Sequence, residues 1–217
     1  MPLVISSGSV TLMYVVDRIF LTWHSSEALA AAMPASMVHW SLLSLPFGVA
    51  MYTNTFVSQY DGAGRPDRIV ASLWQAIYLS LISGVLLAVC TPLAGPIFAW
   101  ADHGAAVEKL EVRYLEVLCL GSLPFLLSGT LSGFFTGRGR TKVVMWVNVA
   151  ASLLNIGLDY ILIFGNGPIP ALGVTGAAIA TVSAQCTAVL LYAVVLLRPE
   201  TVQQFRLLAH RSFDPEL

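Results

Sequence analysis

Charge is what this 217-residue sequence has least of: Asp, Glu, Lys and Arg make up 11% of it, against about 25% in an ordinary soluble domain. No charged residue occurs from Ala28 to Tyr60, from Ile69 to Ala101, from Val117 to Gly137 or from Tyr160 to Leu197. Each gap exceeds the roughly 20 residues that cross a bilayer, which excludes a water-soluble globule. A basic surplus is missing too: 11 Lys and Arg against 12 Asp and Glu leave a net charge of -1, so nucleic acid is excluded as a partner. The three cysteines, Cys90, Cys119 and Cys186, lie in apolar stretches without CxxC or Cys/His spacing, and read as small core hydrophobes. The four histidines, His24, His39, His103 and His210, read as residues of helix ends or loops, which leaves no ligand for zinc chemistry inside a membrane. The N-terminal run MPLVISSGSVTLMYVV lacks a basic n-region and a small-residue cleavage site, so it reads as a mature span and not a signal peptide.

What is present is apolar length, with 57% of residues hydrophobic. Breaking the runs at charge and at Gly/Pro turn chemistry predicts an all-α membrane protein of six transmembrane helices, at Leu3 to Trp23, Ser36 to Tyr60, Ile69 to Trp100, Tyr114 to Thr136, Val143 to Phe164 and Leu172 to Leu197, with a tail over 198–217. Lys and Arg set the orientation. Arg65, Arg68, Arg138, Arg140 and Lys142 fall in alternate loops, the tail adds Arg198, Arg206 and Arg211, and the opposite loops hold only Lys109 and Arg113. By the positive-inside rule both termini are expected in the cytoplasm.

A weak internal echo sets the second helix beside the fourth, with the final Gly-x-Gly-Arg spacing differing by three residues, so chance stands at least level with repetition. SLPF at Ser44 to Phe47 precedes GAGR at Gly62 to Arg65, and SLPF at Ser122 to Phe125 precedes GRGR at Gly137 to Arg140. The two glycine-rich turns lack the preceding strand and the GK[ST] ending of a phosphate cradle, so they read as turns on the cytoplasmic side.

An ionised carboxylate in hydrocarbon costs a few kcal/mol even on a lenient scale, so intramembrane acids are functional candidates by default. Asp17 and Asp159 are the two. They stand about 9 Å and about 8 Å from the outer ends of their predicted helices, at similar depth. Asn148, Ser152, Asn155 and Asp159 share a sector of roughly 60° on the fifth helix. A seam of interhelical hydrogen bonds accounts for the amides and the hydroxyl of that stripe, but it does not need the carboxylate. On the sixth helix Gly176, Ala177, Ala178 and Ala180 permit close approach to a neighbour, and Thr181 and Gln185 share a face. Thr53, Asn54, Thr55, Ser58 and Gln59 make the inner half of the second helix polar, as the wall of a wet cavity or as a packing face. Arg18 adjoins Asp17, yet neighbours on a helix point about 100° apart, so snorkelling or a partner on another helix is expected. Glu116 is expected to be solvated.

With VDRIFL in the first helix, the SQYDGAGRPDR and GRGRTK turns, and above all NIGLDYILIFG followed by IPALGVTGAAIATVSAQ, the chain resembles the multidrug and toxic compound extrusion (MATE) transporters. That resemblance implies the N-terminal six-helix lobe of a twelve-helix secondary antiporter of the cell membrane, a bacterial plasma or inner membrane. Such a transporter exports small organic, often cationic, compounds in exchange for Na+ or H+. It implies no enzyme activity and no cofactor beyond the coupling ion. The residues that match the family's cation site are Asp17, Asn155, Asp159 and Thr181, as coupling residues or Na+ ligands, with Asn54, Asn148, Ser152 and Gln185 as candidate cavity lining. A second lobe or second copy is the implied partner, and the chain reads as an isolated or truncated half. Two rivals stand beside this reading. One is a structural half with a cation site and no flux. The other is an intramembrane aspartyl protease, although the acid lies in GLDY and Pro-Ala-Leu at Pro170 to Leu172 follows only eleven residues later.

Overall fold

A computed structural model describes residues 1–101 and 103–205 of the chain. Helix α1 spans Pro2–His24, α2 Ser26–Met51, α3 Thr53–Gly62, α4 Pro66–Val89, α5 Ala94–Ala101, α6 Ala105–Leu120, α7 Ser122–Gly137, α8 Thr141–Phe164, α9 Val174–Leu196 and α10 Pro199–Phe205. A 3-10 turn, Thr91–Leu93, joins α4 to α5. Five spans, Pro2–His24, Ser26–Gly62, Pro66–Val89, Thr141–Phe164 and Val174–Leu196, are long and apolar enough to cross a membrane, and the α6–α7 pair, bent by 47°, supplies a sixth. The expected fold class, an all-helical bundle of six spans, is the one observed.

Two spans start well before the charge pattern suggested. The second was expected from Ser36, after Pro34, but begins at Ser26, because Ser25 caps it by accepting from the Ala28 N–H at 3.0 Å and Glu27 sits in the first turn. Pro34 is carried inside the helix, where Ala28, Ala31, Ala32 and Ala35 are buried on the packed face. The fourth was expected from Tyr114 but begins at Ala105, because AAVEKLEVRY is amphipathic. It buries Glu111, Tyr114 and Leu115 while Lys109 and Arg113 stay exposed. The third span ends as a continuous helix at Val89, and only the 3-10 turn and α5 carry the chain on to Ala101. Most of the 198–217 tail lies outside the described residues.

These shifts overturn the reading of two side chains. His39, expected at a helix end, lies deep within α2 at 2% exposure, with Nε2 3.1 Å from Ser122 Oγ. Glu111, three residues before the expected start of the fourth span, is fully buried inside α6 and accepts from His103 Nδ1 at 2.7 Å. Cys186 also departs from the core reading: it is exposed on α9, while Cys119 is buried.

The internal echo has a structural counterpart. At the end of α3 the Arg65 N–H reaches back to Tyr60 O at 2.9 Å with Gly64 at φ 65°, and at the end of α7 the Arg140 N–H reaches Phe135 O at 2.8 Å with Gly139 at φ 68°. Both glycine-rich turns are therefore left-handed helix caps, which satisfy orphan carbonyls and cradle no phosphate. The two SLPF segments meet in one apolar cluster of Leu43, Leu87, Phe125 and Leu126, with Phe47 against it.

Candidate functional site

Helices α1 and α8 run side by side in the same direction, and their contacts hold one register. Asn148 Nδ2 donates to Ser6 Oγ at 2.7 Å near one end, while the Phe20 ring lies 6.0 Å from Tyr160 and 5.8 Å from Phe164 near the other. The offset that pairs Ser6 with Asn148 also pairs Asp17 with Asp159. Both acids fall on the shared seam. On α1 the buried residues are Ser6, Met13, Asp17 and Leu21, and on α8 they include Val144, Val147, Ala151, Asn155, Asp159 and Ile163. Asp17 and Asp159 are 4% and 0% exposed, so both acids are withdrawn into the bundle.

Helix α9 closes the seam. The 164–173 loop turns tightly, with Leu172 N–H to Leu162 O at 2.9 Å and Gly173 N–H to Ile163 O at 3.2 Å. Gly176 lies against the Leu162 carbonyl so closely that a Cβ there would come within 2.5 Å of the oxygen. The expected close approach of the small-residue opening is thus observed, and it brings Thr181 to the acids. The Asn155 amide, oriented to satisfy both neighbours, donates from nitrogen to Asp159 Oδ2 at 3.0 Å and accepts at oxygen from the Thr181 backbone N–H at 3.2 Å.

One oxygen of each acid is left over. Asp17 Oδ1 and Asp159 Oδ1 are buried with no hydrogen-bond partner among the described residues. A buried carboxylate oxygen without a donor is costly, and a hard monovalent cation or a proton is the chemistry that satisfies it. Two carboxylates with unpartnered oxygens, the Asn155 amide beside Asp159, and Thr181 on the cavity that Asp17 lines make up a set that could hold a cation or a proton. Arg18 approaches Asp17 more than its helix position suggested, with Nε 3.7 Å from Oδ2. It also finds the partner expected on another helix, donating from Nη2 to Ser36 Oγ of α2 at 2.7 Å.

A cavity of about 210 Å³ opens beside Asp17, lined also by Tyr14, Arg18, Ser36, His39, Tyr114 and Thr181. Of these, Tyr14, Ser36, His39 and Tyr114 were not singled out by the sequence. Tyr14 lies one turn before Asp17, and Ser36 and His39 share a face of α2 as an i, i+3 pair, a signal that was present in the sequence but does not by itself say which helix that face meets. Ser122 Oγ donates to Leu118 O at 3.1 Å, so His39 Nε2 is the donor toward Ser122. The other sequence candidates join helices: Asn148 bonds α1, Gln185 accepts from Ser128 Oγ of α7 at 2.7 Å, Ser152 is buried on α8, and the Asn54 backbone lies against Gly133 and Gly137 of α7.

Comparison with known proteins agrees with this architecture. The family model described as MatE matches residues 2–161. A probable multidrug resistance protein NorM of Geobacillus kaustophilus is 30% identical over 201 residues, 91% of this chain and 44% of that protein. One from Thermotoga maritima is 29% identical over 167 residues, 76% of this chain and 36% of its own length. Among solved structures, the outward-facing conformation of a multidrug resistance MATE family transporter of the MOP superfamily superposes with a TM-score of 0.84 at 25% identity, covering 97% of this chain and 48% of that one. A MOP superfamily transporter from Pyrococcus furiosus, described as having a binding pocket of reverse polarity, gives 0.84 at 26% identity over 92% of this chain and 43% of that one. The chain thus spans less than half the length of these relatives, which are described as multidrug resistance proteins or transporters. A multi-span membrane protein with this helix order, matched along most of its length, belongs to the MatE family of transporters.

Proposed function

We propose that the chain acts as one lobe of a secondary active multidrug antiporter, exporting organic, often cationic, compounds in exchange for Na+ or H+. Asp17, Asn155, Asp159 and Thr181 form the coupling site, and both termini face the cytoplasm. The observation that carries this reading is the pair of buried carboxylates on the α1–α8 seam, each with an oxygen that no group among the described residues satisfies. A helix seam needs amides and hydroxyls; two unsatisfied acids cost stability unless an ion or proton fills them. Alternating access needs two walls around a central site, so the lobe works against a second lobe or a second copy of itself.

The test compares two residues of the same stripe, in the chain joined to a matching second lobe and reconstituted in vesicles with an imposed Na+ or H+ gradient. Asp159→Asn keeps size and hydrogen bonding but removes the charge, and it abolishes gradient-driven export while insertion and folding persist. Asn148→Ala removes one bond to Ser6, worth about 0.6 kcal/mol on average in membranes, and leaves export within about twofold of the parent. Full export by Asp159→Asn under both gradients overturns the assignment.

A further inference from the structure

The site holds three formal charges, and the coupling reading uses only the two acids. The third is Arg18, on α1 directly after Asp17. We propose that Arg18 is a resident counter-charge that sets the site to accept a single monovalent cation and excludes divalent ions; the proposal rests on the coupling-site reading above.

The argument is one of charge and anchoring. Two ionised carboxylates on a buried seam make a net charge of −2 from hard oxygen ligands, which is the chemistry that Ca2+ and Mg2+ seek. Arg18 reduces this to −1. One Na+ or one proton then brings the site to neutrality, whereas a divalent ion would leave an uncompensated positive charge in a low-dielectric interior. The guanidinium is placed to act at a distance without filling the site. Its Nε stands 3.7 Å from Asp17 Oδ2, well beyond the 2.7–2.9 Å or so of a charge-assisted bond. Its Nη2 is held by Ser36 Oγ at 2.7 Å, and that hydroxyl in turn donates to Ala32 O at 2.6 Å. The cation is therefore tethered to α2 beside Asp17, near enough for Coulomb coupling, while its Nη1 and the two Oδ1 atoms all lack a hydrogen-bond partner among the described residues.

Equilibrium binding of radioactive Na+ and Ca2+ to the purified full chain in phosphatidylcholine nanodiscs tests this. The parent binds one Na+ per chain, and an equal concentration of Ca2+ does not displace it. Arg18→Gln keeps a donor but loses the charge, and Ca2+ then binds at least tenfold more tightly, while Arg18→Lys retains the parent's discrimination. An Arg18→Gln chain that excludes Ca2+ as the parent does, or an Arg18→Lys chain as permissive as Arg18→Gln, overturns the proposal. Ser36→Ala gives an independent reading if Arg18→Gln does not fold. Freed from α2, the guanidinium closes on Asp17, and Na+ binding weakens at least threefold with Ca2+ still excluded; unchanged Na+ affinity counts against the anchoring. If the parent binds no Na+ but Arg18→Gln binds Ca2+, Na+ coupling fails and the charge rule stands. If neither chain binds either ion, both fall.

Discussion

At the scale of single residues, Asn155 is the hinge of the site. It is fully buried, and its amide spans from Asp159 Oδ2 on its own helix to the Thr181 N–H of α9. Replacing it by Leu keeps approximate volume but leaves the Asp159 oxygen without its donor, at a cost of about 1–3 kcal/mol or more for a charged group. The expected outcome is a chain that inserts and folds, with a midpoint of thermal unfolding in detergent lowered by several degrees. Asn155→Asp, which adds a third acid, should depress stability further at neutral pH and recover as pH falls; differential scanning fluorimetry across pH 5 to 8 checks both. The stripe that contains Asn155 was legible in the sequence because a period near 3.6 puts its four polar residues on one face. Its division of labour was not. Asn148 serves Ser6 and Asn155 serves the acid because of what α1 and α9 present at each level.

At the scale of elements, the glycines decide how spans bend and meet. Helices α6 and α7 break at Gly121, because Pro124 has no N–H and its ring crowds the carbonyl four residues earlier. Gly121 sits against Val182 of α9 with no room for a Cβ, whereas Gly139 stands in open space and owes its identity only to a φ of 68°. The two therefore respond differently to the same change. Gly139→Ala should cost about 1 kcal/mol through backbone strain alone, with Gly64→Ala similar by the echo of the two caps. Gly121→Ala should cost about 1–3 kcal/mol through overpacking, and Val182→Ala in the same chain should restore part of it. Thermal unfolding of the four variants checks the ranking; a Gly121→Ala chain no less stable than Gly139→Ala would show that the bend does not depend on this contact. The early start of α2 belongs to the same scale. Ser25 caps the helix and Pro34 is carried inside it, with Ala28, Ala31, Ala32 and Ala35 buried on the packed face around the proline.

At the scale of the whole molecule, six crossings place the Gly62–Arg65 and Gly137–Arg140 turns at one end of the bundle and the 164–173 loop at the other. Arg138 marks the first end, lying 4.1 Å from the Phe205 ring centroid and 5.4 Å from that of Phe134, with Nε 3.9 Å from Asp61. It ties the two turns to α10, so that the basic loops and the segment after α9 form one surface. If that surface faces the cytoplasm, Ala63→Cys will resist an impermeant maleimide in intact cells and react after permeabilisation, whereas Asn166→Cys will react in both. Both positions are exposed, and the native cysteines must first be replaced by alanine because Cys186 is also exposed. The opposite labelling pattern overturns the proposed orientation.

The sequence by itself determined the number of spans, the all-helical class, the two membrane acids and their common depth, because bilayer thickness and the cost of charge in hydrocarbon act on residues one by one. It also carried the order of motifs by which the chain resembles its family. What only the tertiary structure decided was pairing: that α1 and α8 run parallel in the register that joins Asp17 to Asp159, that Thr181 contributes its backbone N–H to Asn155, that Arg18 is held by Ser36, and that His39 is an interior residue bonded to Ser122. Helical periodicity specifies which face a residue occupies, but the partner of that face depends on how side chains of distant segments interdigitate, and no local pattern encodes that.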